Sequence, residues 1–365
     1  MRLAEIVGFL ESLAPLSLQE DYDNSGLIVG NPQDEVNRAL VALDCTEAIV
    51  EEAIENHCDL IITHHPIVFK GMKRFNESNY VERVVAKAIR HRIALYASHT
   101  NLDNVQGGVN AKIMEQLGVE NAMILSPKRN ILKKLRVFVP VSHSEAIKNA
   151  LFSAGAGNIS NYSECSFSSS GTGTFLPNEH ASPTIGDIGR REEVEEHAVE
   201  VIYPYYLERK ILIAMYESHP YEEVAYDIYS LDNTYQEVGS GMIGNLPESF
   251  STQDFLAFLK EKMNVQVIRH AGGSGKAIQR VAVCGGAGSF LLQKAISSGA
   301  DVFISADFKY HEFFNAEDKI MIADIGHFES EQFTQHLLLE VIRKKFPNFA
   351  IQITKESTNP IKYYF

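Results

Sequence analysis

Between residues 38 and 118 short apolar runs alternate with amphipathic stretches, and this rhythm constrains the fold more than any other feature of the chain. "RALVALD" (38–44), "DLIIT" (59–63) and "IALYAS" (93–98) are apolar on consecutive residues, as strands buried on both faces are. Between them, "TEAIVEEAIENH" opens at a Thr cap and "YVERVVAKAIRHR" has helical spacing. "RLAEIVGFLESLA" precedes the series, and "GGVNAKIMEQLG" closes on Gly118. Strand and helix in alternation predict a largely parallel sheet with helices on its faces.

From 131 to 231 the order changes to β-α-β-β-α-β, the split βαβ plan of ferredoxin-like domains. Its strands are "LKKLRVFVPV", the extended "NYSECSFSSSGTGTFLP", "EEHAVEVIYP" and "YEEVAYDIYSL". Its helices are "SEAIKNALFSAG" and "YYLERKILIAMYESH", and residues 170–192 form a loop rich in Gly, Ser, Thr and Pro. Near 240 the first rhythm returns with "STQDFLAFLKEKM", "VQVIRHA", "IQRVAVCGG", "DVFISAD", "KIMIADIG" and "FAIQIT". The fold class read here is α/β: a split, largely parallel sheet domain over 1–128 and 240–365, interrupted by a ferredoxin-like α+β domain over 129–239. Three consecutive domains are the alternative. A split domain predicts that residues near 64 and near 327 meet.

The 365 residues, 45% of them hydrophobic, suffice for two or three cores. No apolar run is long enough to span a bilayer, and the N-terminal segment lacks a signal-peptide layout, so a cytoplasmic protein is expected. The formal charge of −14 argues against direct nucleic-acid binding; "PKRNILKKLR" (127–136) reads better as a solvated face. Cys45, Cys58, Cys165 and Cys284 are scattered and indicate neither a disulfide framework nor a thiolate zinc site.

In parallel sheets ligands bind beyond the carboxyl ends of the strands, so the residues that follow each apolar run carry the functional information. After "LIIT" come His64 and His65; after "IALYAS" come His99, Thr100, Asn101 and Asp103; after "KIMIADIG" come His327, Glu329 and Glu331. Each has a structural explanation when taken singly: a hydrogen-bonded strand-end His, a turn-capping Asp103, or acids at a positive helix end. Together they form a metal-ligand pattern. His327 and Glu331, four apart at a helix start, reach one point. His64 and His65 point apart and suit two neighbouring ions, and Asp103 has two oxygens with which to bridge them. The chosen ligands are His64, His65, Asp103, His327 and Glu331. Mixed imidazole and carboxylate donors favour zinc, iron or manganese over calcium or magnesium.

Other stretches are less specific. "GGSGKA" (272–277) fails the phosphate-loop pattern and reads as a turn. "CGGAGS" (284–289) reads equally as a tight strand-to-helix turn and as an anion-holding helix start. Asp307 and His311, in "SADFKYHEF", line the same pocket as supporting groups or are solvated. "SHPYEEVAYDI" (218–228) reads as structural, with strand alternation over 221–228.

The blocks "DYDNSGLIVG" (21–30), "ITHHP" (62–66), "SHTNLD" (98–103), "CGGAGS" and "GHFESE" (326–331) resemble, in order and spacing, the signature blocks of the GTP cyclohydrolase 1 type 2 family, also called NGG-one-interacting-factor-three-like. The resemblance runs from near residue 1 to near residue 360. It implies two divalent metal ions per chain on the five ligands above, zinc ahead of iron or manganese. It favours Asn24 and Ser25 near the metals without making either a ligand; Thr100, in "SHTNLD", is a further candidate supporting group. It also implies an inserted domain similar to the PII and CutA fold, and a homohexamer of two trimers. The implied activity is metal-dependent hydrolysis of a nucleotide, with ring opening of GTP and release of formate. The residues alone leave other readings open: metal storage, delivery or sensing with the insert as a regulatory module, or a scaffold for a protein partner.

Overall fold

The computed structural model describes residues 1–273 and 275–364. In chain order its strands are β1 (Gly26–Val29), β2 (Arg38–Ala42), β3 (Leu60–Thr63), β4 (Ala94–Ala97), β5 (Glu120–Lys128), β6 (Leu132–Pro140), β7 (Ser166–Phe175), β8 (Glu192–Pro204), β9 (Tyr226–Ser230), β10 (Tyr235–Phe250), β11 (Arg269–Ala271), β12 (Ile278–Ala287), β13 (Val302–Ala306), β14 (Met321–Asp324) and β15 (Ala350–Ile353). Two compact units result, one of residues 1–127 and 237–365, the other of residues 128–236.

The larger unit is mixed α/β and contains two sheets where the sequence reads as one. The first has the order β1-β4-β3-β2-β15, and the second β11-β14-β13-β12-β10-β5. In the first, β4, β3, β2 and β15 pair in parallel and β1 runs antiparallel to β4. In the second, β12, β13 and β14 pair in parallel, flanked by antiparallel β11 and β10. Each sheet takes an edge strand from the other half of the sequence: β15 ends the first sheet and β5 ends the second. The chain's two ends are therefore interlocked.

Consecutive apolar residues serve opposite faces of each sheet. Val41, Ile62 and Tyr96 turn into one large core, which they share with Val281, Val283 and Ile304 of the second sheet. Leu40, Ile61 and Leu95 face a separate core roofed by the helices Glu47–Glu55 and Tyr80–Arg90. Thr46 caps the first of these helices, accepting a bond from the Ile49 amide at 3.3 Å, and Ser251 caps Thr252–Lys262 in the same way. The second sheet's far face packs Phe303 and Ile322 against Leu292 and Ala295. Burial of one such side chain contributes about 1.5–3 kcal/mol, so the parallel runs are held from both sides.

In the smaller unit the elements follow as strand, helix, strand, strand, helix, strand, with sheet order β7-β8-β6-β9 and every described pair antiparallel. Leu135, Val137, Val199 and Val201 pack against Ile147, Leu151, Ile211 and Met215 of its two helices. The strand expected over 221–228 begins only at Tyr226. Before it, the Tyr221 hydroxyl donates to Glu196 (3.0 Å) and Glu222 accepts from the Ser182 amide (2.7 Å), and among the described residues only the Ala225 carbonyl accepts from β6, from the Phe138 amide (3.1 Å). The turn expected at 272–277 includes Ser274, which lies outside the described residues. No helix among the described residues is long and apolar enough to cross a membrane.

Candidate metal centre

Strand register decides which side chains can meet. Ala42, Thr63 and Ala97 are in register across β2, β3 and β4, so Asp44, His64 and His65, and His99 leave the first sheet at one edge. In the second sheet Ser305 pairs with Asp324, and Ala287 with Ala306, so Gly286, Asp307 and the helix His327–Glu331 leave at a common edge. These two edges converge, and residues from the two halves of the chain stand within hydrogen-bond reach.

His64 is fully buried. Its Nδ1 lies 2.8 Å from the Ser98 carbonyl, which can only accept, so Nδ1 carries a proton and Nε2 is the nitrogen turned to the cluster. That Nε2 has no hydrogen bond and lies 3.6 Å from Asp103 Oδ1 and 3.7 Å from Glu331 Oε1. Asp103 Oδ1 is likewise buried without a hydrogen-bond partner among the described residues. His65 sets Nδ1 against Asp44 Oδ1 (2.7 Å) and Nε2 against Glu331 Oε2 (3.0 Å). His327 repeats the pattern, with Nδ1 on Asp307 Oδ2 at 2.6 Å and Nε2 3.2 Å from Glu331 Oε2. In all three imidazoles one nitrogen is fixed by an acceptor and the other is aimed inward, the arrangement that orients metal-ligating histidines.

Three groups of donor atoms lie close enough together to hold a cation: His64, Asp103 and Glu331; His65, His327 and Glu331; and His64, His65 and His99. Glu331 belongs to two of these groups and Asp103 to one. Glu331, with one oxygen directed at each of the first two groups, is therefore placed to bridge, a part that sequence reasoning gave to Asp103. The donor set suits a divalent transition ion, and two orphaned buried atoms face each other across the first group. Gly286 makes this packing feasible: its φ is +60°, and a Cβ there would lie 2.4 Å from Glu331 Oε1.

The electrostatics follow from burial and pairing. Burial alone lowers the His65 pKa, but its hydrogen bonds to Asp44 and Glu331 outweigh that and raise it to about 10. His327 is raised in the same way, against its burial, to about 9. Burial pushes Asp103 up to about 6, whereas the three histidines around Glu331 outweigh its burial and hold its carboxyl well below the usual range.

Among the other expected residues, Thr100 and Ser25 join a network around Asp23. Both hydroxyls donate to Asp23 Oδ2, and Asp23 Oδ1 lies 2.7 Å from His99 Nδ1. Asn24 points outward, donating to the Val68 carbonyl. Asp307 holds His327. His311 is not brought to the cluster: it sits on the turn Tyr310–Ala316, against Tyr310 and Phe314. Gly285 and Gly286 spend their amides on Asn110 and Ser330, so "CGGAGS" is the irregular end of β12 passing into a turn beside Glu331, with those two amides unavailable to an anion.

Sequence reasoning did not choose Asp23, Asp44 or His99. Asp44 and His99 both follow apolar strands, and that position was the available signal. Asp23 lies in a polar stretch before β1, and nothing local marks it. A cavity of about 760 Å³ opens on the cluster, lined among others by His65, His99, His327, Phe69 and Arg269.

A model of the family described as Duf34/NIF3 (NGG1p interacting factor 3) matches residues 1–360. A protein of Bacillus subtilis (strain 168) called "GTP cyclohydrolase 1 type 2 homolog" is 37% identical over 98% of both chains. A protein of the same name from Halalkalibacterium halodurans is 40% identical, over 88% of this chain and 87% of its own. Among solved structures, a Bacillus cereus protein related to NIF3 superposes with TM-score 0.88 at 39% identity, covering 100% of this chain and 99% of that one. A Staphylococcus aureus protein gives TM-score 0.78 at 28% identity over the same shares. The chain belongs to the Duf34/NIF3 family.

Proposed function

We propose that the chain is a metal-dependent hydrolase that acts on a nucleotide at a dinuclear centre. The observation that carries the reading is the shared Glu331, whose two oxygens face two separate sets of imidazole and carboxylate donors. His64, Asp103 and Glu331 would hold one divalent ion, and His65, His327 and Glu331 the other, with zinc preferred over iron or manganese for these ligands. Bound divalent ions supply Lewis acidity, polarising an electrophile and letting water react near neutral pH.

The residues around the centre supply the remaining chemistry. His99, its Nδ1 anchored on buried Asp23, has Nε2 to take a proton from water. Phe69 offers an aromatic face to a base at the cavity wall, where Arg269 is paired with Asp324. Asp44 and Asp307 keep His65 and His327 aimed inward. The relatives' name, GTP cyclohydrolase 1 type 2 homolog, makes GTP the first substrate to test, with ring opening and formate as product.

The same reading places the insert, with its β7-β8-β6-β9 order, among ferredoxin-like domains of PII or CutA type, and the protein in the cytoplasm. A hexamer of two trimers belongs to it and is checked by light scattering. The deciding experiment is turnover of GTP and other nucleotides by protein loaded with zinc, manganese or iron. Metal-dependent product that disappears in His65→Ala supports the hydrolase. Tight metal binding with no product, together with transfer of metal to an apo-acceptor protein, would replace it with a delivery role.

A further inference from the structure

We infer that the smaller unit holds a second small-molecule site, built for an elongated organic anion with a flat apolar middle and a hydrogen-bond donor at the end away from its charge. The site is a cavity of about 540 Å³ over the face of the β7-β8-β6-β9 sheet that its helices leave uncovered. This inference is independent of the metal centre.

Register gives the cavity its shape. Phe138 pairs with Ala198 at the centre of the floor, Arg136 pairs with Glu200 at one end, and Glu196 pairs with Pro140 at the other. At about 3.3 Å per residue, Arg136 and Glu196 stand about 13 Å apart along the sheet. Between them the floor is apolar, with the Phe138 ring and the Ala198 methyl. The connection after β7 roofs it with Leu176, Pro177 and Ile185. That roof is tied down: the Ser182 amide donates to Glu222 (2.7 Å), and the Thr184 hydroxyl to the Pro220 carbonyl (2.7 Å).

Each end carries an unmet polar group of opposite kind. At one end the Arg136 guanidinium lies over Phe138, 5.1 Å from the ring centroid. Its Nε is buried without a hydrogen bond, and Glu200 Oε1 is 3.7 Å away, too far to accept one. A guanidinium in that state matches a carboxylate or phosphate. At the other end Glu196 is only 8% exposed. Its Oε1 accepts from Tyr221, while Oε2 has no donor among the described residues. That oxygen belongs to a side chain lining the cavity, and an ammonium, amine or hydroxyl there could donate to it.

Two glycines of β7 border the cavity, one making room for Glu196 and the other leaving open space. A Cβ at Gly173 would lie 2.1 Å from Glu196 Oε2, whereas one at Gly171 would meet nothing within 4 Å. Glycine weakens a strand interior, and its use there marks close approach by another group.

Calorimetry on the full-length chain tests the inference with two probes of the required length. 4-Aminohippurate carries a carboxylate, a planar ring and a terminal amine; hippurate lacks the amine. The expected result is saturable binding of 4-aminohippurate and about tenfold weaker binding of hippurate. Arg136→Met should weaken both about tenfold, and Glu196→Leu should erase the difference between them. Ala198→Leu, which fills the floor and touches neither charge, should remove binding if the Arg136 variant fails to fold. Metal content should not change in any variant. Absence of saturable binding of 4-aminohippurate at millimolar concentration, or unaltered binding in Arg136→Met or Ala198→Leu, overturns the inference.

Discussion

Glu331 Oε2 lies 3.0 Å from His65 Nε2, although 266 residues separate the two in the chain. The contact exists because β15 closes the sheet that contains β3, while the second sheet delivers the His327–Glu331 helix to the edge where β3 ends. One carboxylate thus joins candidate ligands from both ends of the sequence.

If Glu331 bridges, its loss and the loss of Asp103 must differ in stoichiometry. Glu331→Gln should leave the purified protein without bound metal, because both donor groups use that side chain. Asp103→Asn should retain one ion, at His65, His327 and Glu331. Elemental analysis after gel filtration reads the difference. Equal metal content in Glu331→Gln and the wild type would end the bridging account.

Much of this was legible from strand ends. His64, His65, Asp103, His327 and Glu331 were chosen because each follows an apolar run or opens the helix after one, and the structure gathers these five. The pairing of sheets was less legible. Nothing in "FAIQIT" says that it joins β2, a neighbour more than 300 residues earlier, and "YQEVGSGMIGNLPESF", which forms the long β10, carries three glycines and a proline that argue against a strand. Asp23 was missed for a similar reason. Its role depends on His99 and Thr100, 76 and 77 residues away, and an acid in a polar turn looks like any solvated one. His311 shows the converse: a His soon after a strand suggested the pocket, but the chain coils into a 3-10 turn that carries it off.

Asp44 touches no candidate ion, yet it should matter for metal binding. It accepts from His65 at 2.7 Å and from the Thr358 hydroxyl at 2.6 Å, which fixes the imidazole's direction. Asp44→Asn should lower metal affinity about 10- to 100-fold with little change in the fold. Competition against a chromophoric chelator measures this. Affinity equal to the wild type would mean that His65 is held by other contacts.

Gly286→Ala tests whether the close approach to Glu331 is required. The substitution places a methyl 2.4 Å from Glu331 Oε1 at a φ of +60°. The left-handed backbone alone costs about 1–2 kcal/mol for a residue with a Cβ. Displacement of Glu331 adds to that, so both the thermal midpoint and the metal affinity should fall. Gly171→Ala, whose Cβ meets nothing within 4 Å, is the control and should change neither. A Gly286→Ala protein that melts and binds metal like the wild type would show that Glu331 has room to move.

The metal-free protein should lose stability as the solution becomes alkaline. In the folded state His65 is raised from 6.5 to about 10, and His327 from 6.5 to about 9, by their pairing with Asp44, Asp307 and Glu331. A group whose folded pKa is raised binds its proton more tightly when folded, so its stabilisation is complete below the unfolded value near 6.5. That stabilisation disappears as pH rises through about 9 to 10. Glu331 acts in the opposite direction, with a lowered folded pKa whose contribution is present above 4.5 and fades in acid. Urea melts in chelator should therefore show falling stability between neutral pH and pH 10. Metal binding requires these nitrogens to be unprotonated, so metal uptake at neutral pH should release protons and strengthen as pH rises. Calorimetric titration in two buffers of different ionisation heat counts the released protons. Flat stability across the alkaline range, or metal uptake without proton release, would mean that the imidazoles are already neutral in the folded, metal-free chain.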